Sequence, residues 1–279
     1  MDFKMKPRLL DTFCKAGGAG MGYHRAGFEV VGVDIEFQKR YPFEFHQGDA
    51  LEYIRDHGHE FDVIHASPPC QAYTWASAKH RNNGKVYPDL VIPTREALDS
   101  TGKPYIIENV VGAILLKPFV LCGTMFGLKV IRHRQFEINP RFVTLIPQCF
   151  HNGSVPNGDY CTVAGHGGDG KASLKAWKEA MGIDWMNKQE LTQAIPPAYC
   201  EFMGRQLLNF LRNASSRRLI GSSTSRTLDT SASLDRKIDC HLSTDALAGN
   251  GSFGCSCQTV CVETDANFPQ LEQRRDGMD

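Results

Sequence analysis

Between Arg8 and Val111 the chain alternates short apolar runs with longer segments whose apolar residues recur at helical spacing. Leu9-Leu10-Asp11, Phe28 to Val33, Asp62 to Ala66 and Tyr105 to Ile107 read as strands. Gly17 to Gly27 supplies a first crossover helix. Pro88 to Ser100 supplies the helix before the Tyr105 strand, with Leu90, Ala97 and Leu98 on its buried face. This rhythm predicts an α/β fold with a doubly wound, parallel sheet and right-handed crossovers.

Past Ile138 the pattern loosens into a Gly, Pro, Asn and His-rich stretch reaching about Lys171, too long for an ordinary connector. Regularity returns in Ser173 to Met181 and in Pro197 to Leu211, amphipathic helices by spacing, the second opened by a proline pair. Beyond Asn213 the composition shifts to Ser, Thr, Asp and Gly. The expected organisation is a core over 1–137, a short insert over 138–172, helices completing the core over 173–213, and a disordered tail over 214–279.

Composition narrows this only a little. Basic and acidic residues balance at 31 each, so a nucleic-acid surface would have to come from local clustering. The most apolar stretch, Tyr105 to Cys122, is interrupted by Glu108, Asn109 and Lys117, and no membrane role is expected. Ten cysteines behind a charged N-terminus without a cleavable signal point to a reducing cytoplasm.

The candidate chemistry lies at the ends of the predicted strands. Asp11-Thr12-Phe13-Cys14-Lys15-Ala16-Gly17-Gly18-Ala19-Gly20-Met21-Gly22 is a glycine-rich turn from strand to helix, which lets a cofactor approach the backbone and a helix N-terminus. Nicotinamide and flavin enzymes use similar turns, and a plain tight turn fits as well. Asp34 ends the next strand, where it can accept from both hydroxyls of a ribose or cap a helix near Glu36. Asp49 in Gly48-Asp49-Ala50 can accept from an adenine amino group or belong to an ordinary turn.

The most informative stretch is Asp62-Val63-Ile64-His65-Ala66-Ser67-Pro68-Pro69-Cys70-Gln71-Ala72-Tyr73-Thr74. A buried strand running into two prolines puts Cys70 on a stiff loop at the carboxyl edge of the sheet. A polar, partly exposed loop favours the thiolate of a nucleophile, whereas a lone cysteine is more commonly inert and buried. Glu108 and Asn109 end the neighbouring strand. Glu108 would share the crevice with Cys70 as a protonated acid, and Asn109 could hold the Pro-Cys loop by its amide, although Glu-Asn at a strand end is often only a turn. Arg132 and Arg134 flank His133 on a predicted strand and would point to one face, as a clamp for a phosphate or a base carbonyl or as a solvated face.

From Leu9 to Leu211 the order of these motifs resembles the DNA cytosine-5 methyltransferase family, in its compact phage and prophage forms. Pro68-Pro69-Cys70-Gln71 and Glu108-Asn109-Val110 are the specific matches. The resemblance implies a Rossmann-like fold dependent on S-adenosylmethionine, with Cys70 attacking carbon 6 of a flipped-out cytosine and Glu108 acting at ring nitrogen 3. It implies cofactor contacts from Phe13, Gly17, Gly18, Asp34, Ile35, Asp49 and Pro69, with Arg132 and Arg134 near the base and Gln71 and Thr74 at the DNA. Duplex DNA is the implied partner of a monomer, in the host cytoplasm if phage-encoded, and a cognate restriction system is left open. In the insert, Gln148, His151, Asn152, Asn157, His166 and Lys171 are available to read base edges.

Three positions depart from the family pattern. Lys15 stands where glycine is usual, Val130 replaces a glutamine before the arginines, and Gln193 to Tyr199 replaces a Gly-Asn pair. The same chemistry on RNA or a free nucleotide, and an impaired binding relative, are the alternatives; a nicotinamide dehydrogenase leaves Cys70 and Glu108 unexplained. No metal ligands are assigned. Cys240, His241, Cys255, Cys257 and Cys261 cluster in the tail, but their spacing matches no standard tetrahedral set.

Overall fold

The computed structural model describes residues 6–74, 77–78, 82–143, 145–155, 157–163 and 172–224, with 215–224 as backbone alone. Among the described residues seven strands form one sheet: β1 (Arg8–Thr12), β2 (Glu29–Asp34), β3 (Glu44–Gln47), β4 (Val63–Ala66), β5 (Tyr105–Asn109), β6 (Phe119–Leu121) and β7 (Arg134–Asn139). Their spatial order is β3-β2-β1-β4-β5-β7-β6. The first five are parallel, and β7 pairs antiparallel with both β5 and β6. The four strands read from the apolar runs are all present, within a residue or two at their ends.

Side chains alternate across the pleat, so consecutive apolar residues of one strand feed opposite layers. Leu9, Val30, Val63 and Ile106 pack with Tyr23 and Phe28 and with Tyr199, Met203 and Leu207 of the last helix. Leu10, Val31, Ile64 and Ile107 pack on the other side with Ile54, Val91, Ala97 and Leu98. The helices involved are α1 (Gly18–Ala26), α2 (Ala50–His57), α3 (Val91–Thr101) and, after α4 (Leu174–Met181) and α5 (Lys188–Gln193), α6 (Pro197–Thr224). A smaller cluster of Trp177, Met181, Ile183, Met186, Leu191 and Ala194 closes over Ala16, where the Trp185 indole donates to the Ala16 carbonyl at 2.8 Å.

Helix α5 carries a capping box, in which the Asn187 side chain accepts from Glu190 N and the Glu190 carboxylate accepts from Asn187 N. Helix α6 runs past Asn213, where the tail was expected to begin; no Pro or Gly occurs between Arg212 and Ile220 to stop it. Residues 225–279, with the tail cysteines, lie outside the described residues. Among the described residues, no helix is long and apolar enough to cross a membrane.

Helices α1 and α6 meet at backbone distance. A Cβ on Gly22 would stand 2.2 Å from the Pro197 carbonyl oxygen and 2.7 Å from Cys200 Cβ. Since helix ends yield little, the glycine fixes how closely α6 closes the sheet. Gly22→Ala is expected to cost about 2–3 kcal/mol in urea unfolding, and a change below about 0.5 kcal/mol would show that the helices separate freely.

Candidate active site

The parallel strands deliver their carboxyl ends to one edge, and a cavity of about 420 Å³ lies along it. On the side of β2 and β3 its walls include Phe13, Lys15, Gly18, Asp34, Ile35 and Asp49; on the side of β4 and β5 they include Pro69, Cys70, Gln71, Glu108 and Arg134, and Thr192 to Ile195 also line it. The volume falls within the range of about 300–1,000 Å³ usual for small-molecule sites.

The glycine-rich turn divides its work. Gly17 caps α1 with φ of 80° and abuts Pro42 and Tyr41, so its role is in the turn, and it does not line the cavity. Gly18 does line it, and a Cβ there would come within 2.4 Å of the Ile195 carbonyl oxygen. Phe13 and Lys15 are non-glycine residues held at φ of 55° and 44°, in the left-handed region.

Asp34 is buried and already engaged. One carboxylate oxygen accepts from Lys15 N at 3.0 Å; the other accepts from Glu36 N at 3.1 Å and from the Lys15 ammonium at 3.4 Å. The ammonium also meets Glu36 at 3.0 Å. Burial acts against the charged lysine, but Glu36 and Asp34 outweigh it and hold the ammonium above its ordinary range. Lys15 thus covers the carboxylate that the end of β2 would offer to a ribose. Asp49 caps α2 through one oxygen, to Leu51 N at 2.8 Å and Glu52 N at 3.0 Å. Ile35 stands 66% exposed on the cavity wall, an apolar surface without a protein neighbour to cover it.

On the other side the Pro-Pro-Cys loop is tied to β5. Asn109 is buried, and its amide donates to the Pro68 carbonyl at 3.0 Å. Tyr73 N and Thr74 N both donate to the Cys70 carbonyl at 3.0 Å, turning the chain immediately after the thiol. Cys70 is half-buried; burial pushes its thiol above the ordinary range, and the opposing pull of Arg134 does not reverse it. Loop exposure was expected to favour the thiolate; in the structure, burial of the sulfur outweighs it. Thr74 does not line the cavity, whereas Gln71 does.

Glu108 is buried, and burial raises its carboxyl against the charges of Arg134 and Arg132 and a hydrogen bond from Ser67. Arg134 Nε lies 3.1 Å from Glu108 Oε1, yet this oxygen has no aligned hydrogen-bond donor. The approach is an ion pair by distance that leaves a lone pair for another donor.

Arg132 and Arg134 do not act as a pair on one face. Strand β7 begins at Arg134, so the two-residue alternation does not reach back to Arg132. Arg132 turns inward and donates to the carbonyls of Val163 at 2.9 Å and Thr192 at 2.7 Å, while Tyr199 Oη donates to the Arg132 carbonyl at 2.6 Å. Burial, then Arg134, brings its guanidinium down to about 9. It ties three segments together, and Arg134 alone faces the cavity.

Sequence reasoning missed the polar chain beneath the site. Tyr23 Oη lies 3.0 Å from His65 Nδ1, and His65 Nε2 lies 2.9 Å from Ser67 Oγ, which in turn bonds Glu108. The signal was a histidine inside an otherwise apolar strand. Burial brings His65 down to about 3, and it raises Asp11 to about 8 although Tyr41 donates to it at 3.2 Å. Asp11 Oδ1 is buried without a partner on the cavity wall.

No family model matches the chain. The type II methyltransferase M.FnuDI of Fusobacterium nucleatum is 27% identical over 117 residues, which is 38% of this chain and 33% of that protein. The chain thus matches about a third of the length of that relative. A solved structure described as a DNA modification methyltransferase encoded within an E. coli prophage superposes with a TM-score of 0.51 at 14% identity, covering 74% of this chain and all of that one. The Entamoeba histolytica methyltransferase EhMeth gives 0.50 at 14% over 75% of this chain and 99% of its own. The S. pombe Dnmt2 methyltransferase gives 0.50 at 10% over 74% and 99%. These likenesses establish the fold alone, a Rossmann-like α/β sheet of seven strands shared with those methyltransferases.

The His65 environment sets a pH dependence. Its folded value, about 3, lies below the ordinary 6.5, so between these values the unfolded chain binds a proton that the folded one does not. This contribution is complete above pH 6.5 and is lost as pH falls toward 3, by up to about 1.4 kcal/mol per pH unit. Asp11 runs the other way: raised from 3.8 to about 8, it favours the fold at low pH and weakens it as pH rises. His65→Asn isolates the histidine. The stability difference between the two proteins in urea is expected to shrink below pH 6.5, and a constant difference between pH 7 and 5 would mean that His65 titrates normally.

Proposed function

We propose that the protein is an S-adenosylmethionine-dependent DNA cytosine-5 methyltransferase. The observation that carries this reading is one cavity bounded by Cys70 on a Pro-Pro loop and by buried Glu108, with Asn109 and Arg134 fixing them, continuous with a glycine turn, Asp34, Ile35 and Asp49. The named relatives are methyltransferases, which supports the same chemistry.

The cavity suits the cofactor in three respects. Ile35 offers an apolar face, the second Asp49 oxygen is available beyond its helix cap, and buried Asp11 Oδ1 has no hydrogen-bond partner within the protein. Phe13, Gly18, Asp34, Ile35, Asp49 and Pro69 would hold it, with Gly17 shaping the turn. When bound, it supplies an electrophilic methyl group.

The chain supplies the rest. Cys70 Sγ, as thiolate, adds to carbon 6 of a flipped-out cytosine, and electron density moves toward carbon 5, the methyl acceptor. Glu108 holds a proton at ring nitrogen 3, where its raised carboxyl suits donation. Arg134 lies within reach of both groups' electrostatics, lowering the cost of the thiolate and orienting Glu108. The carbon-5 proton then passes to solvent, its bonding pair restores the double bond between carbons 5 and 6, and the carbon 6–sulfur bond breaks to release Cys70 as thiolate. A thiol raised in the free protein implies that binding of the base completes its activation.

Incubation of the purified chain with S-adenosylmethionine and methylation-free duplex DNA is expected to yield 5-methylcytosine by nucleoside mass spectrometry. Cys70→Ala should lower the rate at least about 10³-fold. Transfer that persists in that variant overturns the role of Cys70, and methylation of tRNA or dCTP in preference to duplex DNA overturns the substrate. In calorimetry, Lys15→Gly should bind S-adenosylmethionine about tenfold more tightly or better, since it uncovers Asp34 and relieves a left-handed residue. Equal affinity would show that Asp34 is not a ribose contact.

A further inference from the structure

Outside the cavity, four residues distant in sequence converge. Cys122 follows β6, His133 precedes β7, and Cys149 and His151 lie on the irregular segment after it. Their ligand atoms all lie within 4.8 Å of one another. Cys149 Sγ is 3.0 Å from His151 Nε2 and 3.6 Å from His133 Nε2, and Cys122 Sγ is 3.4 Å from His151 Nε2. In tetrahedral zinc sites with thiolate and imidazole ligands, neighbouring ligand atoms stand about 3.3–3.8 Å apart. From this geometry we infer that Cys122, His133, Cys149 and His151 bind one zinc ion in a closed, structural Cys2His2 site.

Two further observations favour this. The Thr124 hydroxyl lies 3.4 Å from Cys122 Sγ, to which it donates, and 3.6 Å from Cys149 Sγ, as a supporting partner of metal-bound thiolates. The segment bearing Cys149 and His151 has little else to hold it: Leu145 is 79% and Phe150 59% exposed, and no helix or strand occurs in its described part from 145 to 155. The ion would pin this segment to the edge of β6 and β7. His151, one of the insert side chains available to read base edges, lies against the two sulfurs. His133 adjoins Arg134, so the same ion would steady the strand entry that carries the cavity's arginine. Two soft thiolates with two imidazoles favour zinc over hard cations, and the four protein ligands leave no open position for catalysis.

The test uses the full chain, purified without chelator from zinc-supplemented medium and assayed for metal by mass spectrometry. One equivalent of zinc per chain is expected. Substitution by cobalt should give the visible spectrum of a tetrahedral thiolate site. The double variant Cys149→Ala, His151→Ala should lose the equivalent and melt about 5–10 °C lower, its fold checked by circular dichroism. His151→Cys should retain the metal, as should a chain with Cys240, Cys255, Cys257 and Cys261 all changed to Ser. Absence of zinc with no uptake by the reduced chain, a Cys122–Cys149 disulfide in the purified protein, or zinc retained by the double variant would each overturn the site.

Discussion

The pairing of Ala66 with Ile107 in β4 and β5 sets the arrangement of the reacting edge. It brings the start of the Ser67-Pro68-Pro69-Cys70 loop beside Glu108 and Asn109, so that one side-chain amide suffices to latch loop to strand. A slip of one residue would exchange the two faces of β5, sending Glu108 into a helix layer and Asn109 away from Pro68. The apolar runs of both strands resist such a slip because Ile64, Ile106 and Ile107 are committed to opposite layers. The register of two short strands therefore determines whether a nucleophile and an acid can share one cavity.

A second constraint acts from the far end of the chain. Gly18 and Gly22 allow the backbone around Ile195 and Pro197 to close on α1, and this contact brings Thr192 to Ile195 into the cavity wall. Arg132 reinforces the closure by reaching the Thr192 carbonyl from the entry to β7. The glycines of the turn thus serve helix packing as much as ligand approach. Gly17 and Gly18 look alike in sequence, but one shapes the backbone of a cap and the other leaves space at the wall.

The sheet was readable because buried parallel strands leave short, unbroken apolar runs, and Cys70, Glu108 and Asn109 were readable because they stand directly at strand ends. The roles of the arginines were not readable. Alternation holds only within a strand, and nothing local marks where β7 begins. The engagement of Asp34 by Lys15 was also hidden, since it depends on a left-handed backbone at a non-glycine residue. His65 escaped notice because its apolar neighbours describe the strand and not the hydrogen bonds of one side chain. The convergence of Cys122, His133, Cys149 and His151 spans two strands and a loop, so no spacing rule based on a single hairpin or helix would find it.

The neutrality of the layer beneath the cavity has an electrical consequence. Asp11, raised to about 8, and His65, lowered to about 3, both remain uncharged across the intervening range. The floor of the site then adds no mobile charge, and Arg134 acts on Cys70 and Glu108 without a counter-ion from below. Among the described groups that line the cavity, a titration seen in turnover between these limits would point to the Glu108 carboxyl or to the substrate, because the Cys70 thiol is held above its ordinary range. The polar chain from Tyr23 to Ser67 thus acts as a fixed dielectric lining, polar enough to orient Glu108 and silent as the proton concentration changes.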